Sequence, residues 1–114
     1  MRLPKISSGQ MRQLMEEAQR MLEEAQQFEA EMEQLQVEAT AGGGVVKATV
    51  NGKGMLVSLQ IAPEAIDPDD PEMLQDLVVS AVREAQNRAE AVRTERVQQL
   101  TGGLGGFGLP GLPF

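Results

Sequence analysis

Residues 42–61, GGGVVKATVNGKGMLVSLQI, constrain this chain more than any other stretch. Residues 45–50 and 55–61 are both rich in β-branched and aliphatic side chains that favour strands. Between them stands Asn51-Gly52, the pair that most cheaply adopts the positive φ a type I′ turn needs at both central positions. The spacing predicts a tight hairpin closed there. In its second strand Val57, Leu59 and Ile61 share a face, with Ser58 and Gln60 on the other; Val46, Ala48 and Val50 make the matching face of the first. The short alternating stretch 37–41 reads as a preceding strand that enters the Gly42-Gly43-Gly44 turn, completing a three-stranded antiparallel β-meander. The glycine run lacks the Gly-Lys-Ser/Thr ending of a phosphate loop and leads into a strand, so it is read as a turn. A sheet of three strands with one apolar face has to be covered by helices or by another sheet.

Helical patterns flank the meander on both sides. Ser7 and Gln10 have the spacing of a capping box, which starts the first helix near Ser8. Met11, Ala18, Ala25 and Met32 then fall at one heptad core position, and Leu14, Met21, Phe28 and Leu35 at the other. Met15 and Leu22 widen that seam on one side. Continued to about Gln36, such a helix is roughly 43 Å long, whereas a compact domain of about 100 residues has a radius of gyration near 13 Å. Its seam therefore needs a partner along its length: the C-terminal helix, the same helix of a second chain, or both. A two-fold homodimer is expected. Glu16, Glu17, Glu23, Glu24, Glu29, Glu31 and Glu33 line the outer face against only Arg12 and Arg20. They are read as a solvated face with i,i+4 support, not as a metal cluster, since no His or Cys accompanies them.

After a loop with Pro63 and Pro68, Asp70-Pro71-Glu72 gives a strong helix start: an acid at the cap, proline at the first position, another acid in the first turn. The second helix is expected to run to about Leu100 and to stop at Thr101-Gly102-Gly103. Its first half carries the apolar stripe Leu74, Leu77, Val78, Ala81 and Ala85. Continued at helical spacing, the stripe meets Arg88, Val92 and Arg96, with Arg93 beside it, and turns basic halfway along. Such arginines either pair with glutamates of the first helix or of a second chain, or line a cleft that receives phosphates.

With no Cys and no His, the chain has neither a disulfide framework nor the usual zinc sites, and it offers no catalytic constellation. An enzyme is not expected, nor a cofactor, nor a small-molecule substrate. Three Phe with no Trp or Tyr make a thin core for a monomer, which again favours association. No apolar run approaches a membrane span, so a soluble, cytoplasmic protein without membrane contact is expected. The net charge of −7 argues against coating nucleic acid through bulk charge alone.

Four stretches together resemble the YbaB/EbfC family of bacterial nucleoid-associated proteins: LMEEAQRM at 14–21, GVVKATVNG at 44–52, DPEMLQDLV at 70–78 and the closing GLPGLPF at 108–114. Their order and spacing cover nearly the whole chain. The resemblance implies an α+β fold with a long N-terminal helix, a three-stranded antiparallel meander and a long C-terminal helix. One such domain would occupy residues 1–101, followed by a Gly/Pro-rich flexible tail at 102–114. It further implies a tweezer-like homodimer that binds double-stranded DNA at the nucleoid and alters its conformation. With few basic residues per arm, no aromatic on either arm's distal half and no recognition-helix pattern, that binding is expected to be weak and to have little sequence specificity. Carried onto this chain, the DNA-binding candidates are Arg12 and Arg20 on the first helix and Arg88, Arg93 and Arg96 on the second. Arg83 is set aside because Arg83-Glu84-Ala85 stands where many relatives have Asn-Asp-Ala. A second class of function shares this layout: prefoldin-like chaperones or adaptors also join two long helices through β-hairpins, and methionine-rich seams suit adaptable apolar binding.

Overall fold

The computed structural model describes residues 7–102. The expected tail at 102–114 lies, apart from Gly102, outside the described residues. The elements in order are α1 (Ser8–Gln34), β1 (Gln36–Ala41), β2 (Val46–Asn51), β3 (Leu56–Ile61), a single 3₁₀ turn (Pro63–Ala65) and α2 (Pro71–Gly102). The strands form one antiparallel sheet in the order β1-β2-β3. The chain divides into two compact units, one ending at Glu31 and the other beginning at Met32.

Both helix starts are built as their residues dictate. The Ser7 N–H donates to Gln10 Oε1 at 3.0 Å while the Gln10 N–H donates to Ser7 Oγ at 3.2 Å, a reciprocal capping box. At α2 the Met73 N–H donates to Asp70 Oδ1 at 3.2 Å, with Pro71 at the first helical position. Helix α1 stops at Gln34, so Leu35, placed by heptad spacing on the seam, lies outside the helix in the link to β1.

The second unit has its core between α2 and the inner face of β1 and β2. Val46, Ala48 and Val50 are fully buried on the central strand, and Ala81, Ala85 and Ala89 form the line of α2 that meets them. Six of the eight residues in this buried cluster are alanine: Ala39, Ala48, Ala65, Ala81, Ala85 and Ala89. Small side chains bring the helix axis close to the sheet but remove little apolar area per residue from water.

Two expectations about the meander are corrected. Asn51 and Gly52 do not form the type I′ turn, since neither has positive φ. Asn51 ends β2 opposite Gln36, and its N–H donates to the Met55 carbonyl at 2.9 Å, which closes the three-residue loop Gly52-Lys53-Gly54 just before β3, with Gly54 at φ +83°. The Asn51 side chain organises this loop, its Oδ1 accepting from the Lys53 N–H at 2.9 Å and the Met55 N–H at 3.1 Å. A three-residue loop closed by a left-handed glycine is the next most common way to join two right-twisted strands. Positive φ at successive turn residues occurs instead in the β1–β2 connection, at Gly42 (+64°), Gly43 (+73°) and Gly44 (+100°). The second correction concerns Val57. Val50 pairs with Leu56 and Thr49 with Ser58, so Val57 is the extra residue of a β-bulge. It leaves the alternation and stands about half exposed, while Leu59 and Ile61 pack against the core.

Candidate nucleic-acid interface

Helix α1 carries seven glutamates and two arginines. Arg12 and Arg20 are exposed and, by helical spacing, lie away from the apolar stripe. Glu16 and Glu24 stand one turn to either side of Arg20. Any phosphate approaching Arg20 would therefore also approach two carboxylates. The stripe itself is open through most of its length: Met11, Leu14, Met15, Met21 and Leu22 are about half to two-thirds exposed. Ala18 and Ala25 are exposed too, and Phe28 is half-buried. Met32 differs, being fully buried within its own unit.

Around Met32 the β2–β3 loop meets the last turn of α1. The Gly52 N–H donates to the Met32 carbonyl at 2.7 Å, and Lys53 Nζ bonds Glu33 Oε1 at 3.1 Å. A side chain at residue 52 is excluded by that approach. A Cβ there would stand 2.8 Å from the Met32 carbonyl oxygen and 2.9 Å from its sulfur.

Helix α2 changes character later than its sequence pattern implies. Ala89 continues the buried line of Ala81 and Ala85 for another turn, and Val92 is half-buried. The inner face thus stays apolar to Val92, and Arg96 is the first cation on its continuation, with Arg88 and Arg93 flanking the line on opposite sides. The difference is one of phase: a stripe of small residues drifts along a helix, and Arg88, one position before Ala89, fits the same spacing almost as well. Arg88 is tied down. Its Nε bonds Glu84 Oε1 at 3.1 Å, and its Nη1 donates to the Glu38 carbonyl at 3.1 Å, fastening α2 to β1. Of the two expectations for the arginines, pairing within the chain describes Arg88, though the partner is a glutamate of α2 itself.

Arg93 lines a cleft of about 300 Å³ with Gly52, Lys53, Gly54, Gln86 and Glu90. Gln86 closes one side by donating from Nε2 to the Gly54 carbonyl at 3.0 Å. Lys53 is not among the candidates that the sequence singles out. No spacing rule links it to a residue 40 positions away, and only the fold places the two cations around one cleft. Among the described residues no three His, Cys, Asp or Glu side chains are grouped to hold a metal ion. No helix among them is long and apolar enough to cross a membrane.

Comparisons with known proteins agree with this architecture. Residues 8–104 match the YbaB/EbfC DNA-binding family. A nucleoid-associated protein of Streptomyces avermitilis is 47% identical over 104 residues, covering 91% of this chain and 92% of the relative. One from Clostridium perfringens is 52% identical over 104 residues, covering 91% and 90% respectively. The crystal structure of an uncharacterized protein from Helicobacter pylori superposes with a TM-score of 0.66 at 26% identity, over 84% of this chain and 98% of that one. The capped first helix, the bulged three-stranded meander and the long second helix are those of a chain that belongs to the YbaB/EbfC DNA-binding family.

Proposed function

We propose that this protein binds double-stranded DNA as a homodimer, holds the duplex between its helical arms with little sequence specificity, and so alters DNA conformation in the nucleoid. The observation that carries the reading is the change of α2 beyond Val92, where an apolar inner face gives way to Arg96 with Arg93 beside it. Arg93 and Arg96 are both exposed, so their charge is presented to any polyanion that meets this end of the helix. Guanidinium groups at helical spacing suit the phosphates of a duplex backbone, and such contacts position a protein without reading sequence. Neither helix carries an aromatic side chain beyond Phe28, so base stacking adds nothing on α2.

The dimer is supported by what a single chain leaves uncovered. The α1 stripe from Met11 to Leu22 is one exposed apolar surface. Met55, Leu56 and Val57 at the β3 edge, with Ile66, Met73 and Val79, are further exposed apolar residues. Apolar stripes such as that of α1 are rarely left open on a monomer.

A gel-shift series on duplex DNA from low to physiological salt tests the reading. Binding is expected at low salt and should fall steeply as salt rises, because cations condensed on the duplex compete with the arginines for its phosphates. Arg93→Glu/Arg96→Glu should abolish the shift while light scattering still reports the dimer. No shift at any salt from an intact dimer would sink the DNA reading. Suppressed aggregation of an unfolded client under the same conditions would turn the assignment to the chaperone-like alternative.

A further inference from the structure

Seven methionines are a large share of 114 residues, and the chain has no Cys, His, Trp or Tyr. Two-electron oxidants therefore find one kind of reactive side chain here, the thioether. The fold sorts these thioethers sharply. Met11, Met15 and Met21 on the α1 stripe are 48%, 66% and 63% exposed and Met55 and Met73 are 63% and 40% exposed in the other unit, whereas Met32 is 1% exposed with its sulfur packed beneath Gly52. Leucine would satisfy the same heptad positions with equal helix propensity, so neither packing nor helix formation demands sulfur at them.

We propose that Met11, Met15 and Met21 form an oxidation-sensitive modification site that controls the pairing of α1 with a second copy of this chain. The inference rests on the homodimer reading. Peroxide reaches the three sulfurs in the dissociated chain. Each thioether gives an electron pair to one peroxide oxygen; the O–O bond breaks, an S–O bond forms, and water leaves. Methionine becomes methionine sulfoxide, and the peroxide is reduced. The flexible apolar side chain is then polar and chiral. A seam that must close on apolar groups now has to bury an S=O dipole at three heptad-related positions, so reassociation is opposed and the chain is held as monomer. Met32, closed off in the other unit, keeps its thioether and the fold around it. Reduction by a methionine sulfoxide reductase reverses the change.

The test treats the full-length protein with hydrogen peroxide, maps oxygen addition (about 16 Da per site) by peptide mass spectrometry, and follows oligomeric state by light scattering. Untreated protein must first be dimeric; a monomer there overturns the dimer reading and this proposal together. With a dimer in hand, oxygen is expected at Met11, Met15 and Met21 well before Met32. Dimer dissociation should strengthen by roughly tenfold per sulfoxide, and the reductase should restore the dimer. Met11→Leu/Met15→Leu/Met21→Leu should remain dimeric at the same peroxide dose. A dimer that survives three sulfoxides overturns the proposal, as does a Leu variant that folds and dissociates equally. Oxidation of Met32 at the same rate as Met15 overturns it as well, since that reports general unfolding. Should the triple variant not fold, reductase rescue of the wild-type chain decides the matter: recovery supports the site, and failure to recover overturns it.

Discussion

Gly52 shows how much a single residue can be asked to do. It is legible as a turn residue but not as what it is, a point where one backbone passes within hydrogen-bond distance of another. The Met32 carbonyl receives its N–H at 2.7 Å, and a Cβ would meet that carbonyl oxygen at 2.8 Å. The Met32 carbonyl belongs to a helix backbone and cannot swing aside as a side-chain tip can. Gly52→Ala is therefore expected to destabilise the fold by roughly 1–3 kcal/mol, the usual range for overpacking a close contact. Gly9→Ala, in an open position of α1 with nothing nearer to the added carbon than 4.0 Å, should leave stability unchanged or raise it. Urea unfolding of both variants checks this; equal midpoints would remove the close approach as the reason for glycine at residue 52. No sequence rule points to it, because residues 32 and 52 are brought together by the fold alone.

At the scale of elements, the two helices are legible in extent and less so in phase. Caps at Ser7 and Asp70 are local signals, written in adjacent residues, and they set both starts correctly. The inner face of α2 is a long-range property. Ala85, Arg88 and Ala89 fit a helical repeat about equally, and only the sheet beneath chooses Ala89. The choice moves the basic surface outward by a turn and leaves Arg93 and Arg96 as its centre. Composition separates the helices by charge as well, seven glutamates against two arginines on α1 and five acids against four arginines on α2. From this we expect α2 to dominate the grip on phosphate. In a salt titration of DNA affinity, Arg93→Gln/Arg96→Gln should lower the log–log slope by about 0.9 for each phosphate no longer neutralised. Arg12→Gln/Arg20→Gln should change it less, because neighbouring glutamates already oppose phosphate there. A larger fall in slope from the α1 pair would assign the grip to the other arm.

For the whole molecule the deciding quantity is how little apolar surface one copy can bury. A buried cluster made mostly of alanine, with five large apolar side chains of α1 left open, predicts that folding and association are linked. Under such linkage a hundredfold dilution removes about 2.7 kcal/mol of stabilisation, which for a dimer of this size lowers the melting midpoint by about 5–10 °C. Calorimetry at two protein concentrations measures it, and a midpoint independent of concentration would mean that one copy is stable by itself. The scarcity of aromatic residues points the same way. Which surfaces stay open cannot be read from composition, because Met32 and Met21 sit on the same heptad seam and end in opposite environments.

The extra residue at Val57 bears on a different danger. An edge strand with exposed Leu56 and Val57 offers a hydrogen-bonding template to any other strand, and successive additions would propagate into cross-β fibrils. A bulge twists the edge locally and breaks the regular ladder that such growth requires. Deleting Val57 would restore one-to-one pairing along β3, and we expect the shortened protein to bind thioflavin T and scatter light on storage where the intact chain stays clear. If it stays equally clear, the edge is guarded in some other way. A chain that leaves apolar residues open on an edge strand has reason to keep one irregular residue in it.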